Sequence, residues 1–136
     1  MGDHKAMEDR SKASSYKALT LLWALVCAVL LLVPSADLPG QEWSGIVKAA
    51  IEIAVHIGLF FVLAWLAANG FSAVKEAIES SAVALPADRK TQVFAVVLAY
   101  CLLLEILQIP VPGRNFELLD LVAGGLGAVV GSWRPG

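Results

Sequence analysis

Charged side chains are scarce in this chain. Asp, Glu, Lys and Arg make up 16% of its 136 residues, against 58% apolar ones, and with a mean hydropathy of +0.73 that balance excludes an ordinary soluble domain. Cysteine is nearly missing as well. Cys27 and Cys101 both stand inside apolar runs, where a thiol packs as a small hydrophobe, and no CxxC or Cys/His spacing is available to hold a metal. The net charge of -2 comes without any basic-aromatic stripe, so nucleic acid is not an expected partner. No serine or cysteine nucleophile sits beside a histidine in a recognisable motif, no metal triad is spelled out, and no cofactor is implied. Internal repeats and low-complexity tracts are lacking too.

Four long apolar runs are what the chain does have, over residues 16–33, 45–68, 91–109 and 116–133. About 20 helical residues, and no fewer than roughly 17, cross some 30 Å of hydrocarbon, so each run is long enough to span, the fourth only marginally. Lysine and arginine fix the direction. Lys5, Arg10, Lys12 and Lys17 precede the first run, Lys75, Arg89 and Lys90 lie between the second and third, and Arg134 closes the chain, while Lys48 and Arg114 alone fall on the other side. The positive-inside rule then puts both termini in the cytoplasm. Val33-Pro-Ser-Ala36 offers a small residue at a possible signal-cleavage point, but proline there is unfavourable and the run is long for a signal peptide. The predicted fold class is therefore all-α, an integral membrane bundle of four transmembrane helices. Residues 1–15 form a flexible cytoplasmic tail and 16–133 the membrane domain. Phe71, Val74, Ile78 and Leu85 recur at helical spacing, so 71–84 reads either as an amphipathic surface helix or as an extension of the second span.

Polar residues concentrate at one depth. On the second run Lys48, Glu52 and His56 are spaced by four and form one stripe descending from its outer end. On the third, Glu105 and Gln108 share the face of its outer half, and Pro110, Pro112 and Gly113 end it in a turn that leaves Arg114 at the surface. Glu117 and Asp120 open the fourth. An acid inside hydrocarbon must be protonated or paired, and Arg114, His56 and Gln108 are the partners within reach of Glu105. Lys48 and Glu52 also fit an i,i+4 pair at the interface, and Glu117 a solvated acid at a helix start. Asp120, Gly124, Gly127 and Gly131 fall on one side of the fourth helix, so the side that carries Asp120 is the side another helix can approach closely. Gly127 to Gly131 is also a GxxxG match, which fits internal packing or a homodimer.

Glu52 with His56, then Glu105-Ile-Leu-Gln108, Pro112-Gly113-Arg114, Asp120 and the glycine-rich last helix resemble the VanZ-like family of bacterial inner-membrane proteins, over residues 17 to 133. Two positions depart from the family pattern. Ile53 stands where a lysine is usual and Gly124 where an asparagine is. The resemblance implies a cell-envelope role of the kind associated with resistance to the lipoglycopeptide teicoplanin, and it supplies no reaction.

Three functions of different class fit these residues. The first is a binding site for an envelope lipid or lipid-linked cell-wall intermediate, with Arg114 holding a phosphate or carboxylate, His56, Glu105, Gln108 and Asp120 lining the site, and Lys48, Glu52 and Glu117 supporting it. The second is a small proton-coupled transporter or flippase using Glu105, Asp120 and His56. The third is a membrane enzyme with Glu105 and Asp120 as paired acids. Lys48 and Arg114 face four acids in this cluster, so a site for a simple anion is disfavoured unless Glu105 is protonated or the ligand also carries an amine.

Overall fold

The computed structural model describes residues 2–37, 40, 42–71, 75, 78–81, 83–84 and 88–133. Among them the protein is all-helical. Helix α1 runs Gly2–Leu32, α2 Gly45–Asn69, α3 Arg89–Gln108 and α4 Leu118–Ser132, with a single 3-10 turn at Ser35–Asp37 between the first two. Arg134 and the ends of the chain lie outside the described residues, as do Val74, Glu76 and Leu85 of the 71–84 segment. Phe71 and Ile78 of that segment pack partly buried against the core.

Helix boundaries follow from local chemistry. Ser44 caps α2, its hydroxyl accepting from the Val47 N–H at 3.4 Å, and Asp88 caps α3 by accepting from Thr91 N–H at 2.9 Å. Pro110 and Pro112 follow the end of α3. The turn is closed by Val111 N–H donating to Gln108 at 2.9 Å and Arg114 N–H to Val111 at 3.1 Å, and Gly113 takes the positive φ of 74° that it needs. Helix α1 starts well before its apolar run, at Gly2. Residues 11–15 and their described predecessors are exposed, and a Lys12–Glu8 ion pair at 2.6 Å fits helical i,i+4 spacing.

Three helices are long and apolar enough to cross a membrane: α2, α3, and α1 from Arg10 onward. The fourth run departs from expectation. Helix α4 has 15 residues, about 22 Å at 1.5 Å per residue, which is short of a bilayer core. It begins only after residues 114–117, which are not helical. Arg114 Nε donates to the Val33 carbonyl at 3.1 Å and Glu117 N–H to Glu105 Oε2 at 3.4 Å, and Glu117 is the N-cap in an extended conformation.

The most extensive helix–helix contact is between α2 and α4. A Cβ on Gly127 would fall on the carbonyl oxygen of Ile57, and one on Gly131 on that of Phe61. The two glycines thus admit successive turns of the α2 backbone, and the GxxxG face is occupied within the chain. Gly124 lies against Cys101 and Phe60 in the same seam. Around it the core gathers Phe60, Leu63, Ala64, Val97, Cys101 and Leu104. Large apolar side chains also point outward, among them Leu21 and Leu25 on α1, Leu103 and Ile106 on α3, and Leu126 and Val130 on α4. Exposed apolar surface on every helix is what a lipid-facing bundle presents.

Candidate functional site

Three helices deliver one polar side chain each to a single buried point. His56 from α2 is 2% exposed, Glu105 from α3 1% and Asp120 from α4 7%. His56 Nε2 lies 3.2 Å from Glu105 Oε1, and its Nδ1 lies 3.7 Å from Asp120 Oδ1. Nδ1 is also 2.9 Å from the carbonyl oxygen of Glu52, one helical turn back. A carbonyl only accepts, so this contact places the ring proton on Nδ1 and leaves Nε2 with a bare lone pair in the neutral imidazole. Phe60 stacks on the ring, with centroids 6.3 Å apart.

The partner of Glu105 is therefore His56, and neither Arg114 nor Gln108 fills that role. Gln108, 2% exposed, donates from Nε2 to the Leu31 carbonyl at 2.9 Å. With the Arg114 contact to Val33, it satisfies carbonyls that the C-terminal end of α1 leaves without an intrahelical donor. Both residues thus tie α1 to the site. Although His56 Nε2 and Glu105 Oε1 are in ion-pair range, each is buried without a hydrogen-bond partner. One ligand atom from each of His56, Glu105 and Asp120 lies within 4.8 Å of the others, so the trio could hold a metal ion.

Two clefts open beside this point. One, of about 330 Å³, runs between α1 and α2 and is walled mainly by apolar side chains, including Leu30, Trp43, Ile51 and Val55, with His56 also in its lining. The other, of about 320 Å³, is polar and is lined by Lys48, Glu52, Gln108, Arg114, Glu117 and Asp120. Lys48, Glu52 and Arg114 belong to both. Every polar residue expected at this end is thereby brought together, some as the buried trio and the rest as cleft wall. Among the described residues Lys48 and Glu52 form no ion pair, so their spacing serves the cleft. Glu117 is exposed and contributes its backbone N–H.

Some contributors escaped the sequence reading. Trp43 walls the apolar cleft, and its signal was a tryptophan flanking a span, as at membrane interfaces. Trp23 Nε1 donates to the Leu59 carbonyl at 3.0 Å and the Tyr100 hydroxyl to that of Ala24 at 2.6 Å. Aromatic donors inside apolar runs were the hint that such bonds exist.

No curated protein and no solved structure matches the chain. The signature of one family matches residues 11–134, nearly its whole length and all of the residues that build the trio and both clefts, and the chain belongs to that family, VanZ/LLP1.

Proposed function

We propose that this protein binds an amphiphilic envelope lipid or a lipid-linked cell-wall intermediate in the outer leaflet of the bacterial inner membrane. One observation carries the reading: an apolar cleft and a polar cleft of nearly equal volume share the wall formed by Lys48, Glu52 and Arg114. An acyl or prenyl chain fits the first and a charged headgroup the second. Arg114 uses only Nε on Val33, which leaves its other guanidinium N–H groups for a phosphate or carboxylate. Glu52, Glu117 and Asp120 in the same cleft suit an amine or sugar hydroxyls on the ligand. The orientation follows from the lysine and arginine distribution, which puts this end of the bundle outside. Membership of a family whose founding member is associated with resistance to the lipoglycopeptide teicoplanin agrees with an envelope role.

Lipid mass spectrometry of protein extracted in native membrane tests the reading. The wild type should retain a lipid class that is depleted both in Arg114→Ala, which removes the headgroup contact, and in Val55→Trp, which fills the apolar cleft. Identical lipid profiles in all three proteins would refute it.

A further inference from the structure

Two unpartnered atoms face each other at the buried point where α2, α3 and α4 meet. His56 Nε2 and Glu105 Oε1 are 3.2 Å apart, neither makes a hydrogen bond, and with the ring proton held on Nδ1 by Glu52 both are acceptors. Asp120 adds a second carboxylate to the cluster, which lies within 4.8 Å counting one ligand atom from each residue; its Oδ1 is 3.7 Å from His56 Nδ1, so it joins the other two at Nε2 by a side-chain rotation. Among the described residues no lysine or arginine forms an ion pair with either acid, whose ion-pair contacts are to His56. A neutral imidazole beside two buried carboxylates is the electrostatic complement of a divalent cation.

We propose that His56 Nε2, Glu105 and Asp120 bind one divalent transition-metal ion of the zinc class, on the seam between the two clefts. The 3.2 Å separation of His56 Nε2 and Glu105 Oε1 fits. Two ligands at about 2.0 to 2.1 Å from a tetrahedral ion stand roughly 3.3 Å apart. The surroundings fit as well, because a ligating histidine ordinarily donates its other N–H to a backbone carbonyl or carboxylate, as Nδ1 does here to Glu52. Glu105 is steadied in the same way, its second oxygen accepting from Glu117 N–H. An imidazole nitrogen in the ligand set disfavours Mg²⁺ and Ca²⁺, which take oxygen ligands, and favours Zn²⁺. Three protein ligands leave a fourth position open, and Asp120 lines the polar cleft, from which a water, phosphate or carboxylate oxygen can reach it. This assignment is independent of which amphiphile fills the clefts.

The sequence makes the test clean, because His4 is the only other histidine and is exposed on α1. Detergent-purified protein carrying His4→Ala is stripped with chelator and titrated with Zn²⁺, read by elemental analysis, and with Co²⁺, read by its visible ligand-field absorption. One equivalent of metal and a tetrahedral cobalt spectrum are expected. His56→Gln, Glu105→Gln and Asp120→Asn should each weaken binding by roughly 10- to 100-fold or more, while Glu79→Gln, on the remote 71–84 segment, leaves it unchanged. Thermal midpoints read alongside show whether each variant is folded, and the unmutated trio needs no variant to be judged. Three results would overturn the assignment: no metal taken up by the folded His4→Ala protein, undiminished binding in folded Glu105→Gln and Asp120→Asn, or displacement of Co²⁺ by equimolar Mg²⁺.

Discussion

Gln108 and Arg114 each close a gap that a helix end creates. The Gln108 amide reaches the Leu31 carbonyl from a fully buried position, so Gln108→Leu leaves that carbonyl without its donor and should destabilise the protein by about 1 to 3 kcal/mol in reversible detergent unfolding. Glu105 presents a different case. An arginine nine residues further along is the obvious counter-ion on paper, yet the contact is to His56 on another helix. A double-mutant cycle separates the two arrangements. Glu105→Gln and His56→Gln should couple by about 0.5 to 3 kcal/mol, whereas Glu105→Gln and Arg114→Gln should add to within about 0.5 kcal/mol, as residues without a shared partner do. Strong coupling of the second pair and none of the first would reverse the assignment.

At the scale of elements, α4 depends on its glycines. A side chain at Gly127 has to displace the α2 backbone at Ile57, so Gly127→Leu should cost at least about 3 kcal/mol, the upper end of overpacking effects. Val130 points outward, and Val130→Leu should change stability by no more than about 0.5 kcal/mol. Thermal stability of the two purified variants checks both. The start of α3 depends on Asp88, whose carboxylate is held below its ordinary value by the Thr91 side chain and backbone N–H. A depressed folded value means that the contribution is fully present above the ordinary carboxylate range and is lost as pH falls through the folded value. Asp88→Ala should therefore melt below the wild type near neutral pH, with the difference closing on acidification. A gap independent of pH would show that the cap is not acting through its charge.

The whole molecule is an asymmetric bundle: apolar outward, polar at one end, with one helix too short to span alone. Helix α4 is held by α2 along its length, so its closeness to α2 matters more than its own hydrophobic reach. Self-association would have to use a face other than Gly127 and Gly131, which α2 already covers. Orientation is the molecule-scale prediction. Accessibility reporters at Lys12 and Ala84 should read cytoplasmic and those at Trp43 and Asn115 external. The opposite pattern would place both clefts on the inner face and remove the outer-leaflet assignment.

Hydropathy and the breakers Pro110, Pro112 and Gly113 made the four helices legible in the linear chain, because apolar length and helix termination are local properties. The stripe Lys48, Glu52, His56 and the facing pair Glu105, Gln108 were legible for the same reason, since a helix repeats every 3.6 residues. The glycine side of α4 could be read from the sequence, although its occupant could not. Tertiary structure alone decided which charges meet. Spacing along one helix says nothing about the rotation and depth of its neighbours, so it could not reveal that Glu105 faces His56, that Gln108 and Arg114 hold the end of α1, or that Asp120 completes a trio drawn from three helices. It also made α4 shorter than its apolar run, with residues 114–117 outside helical geometry and two of them bonded to Val33 and Glu105, partners distant in sequence.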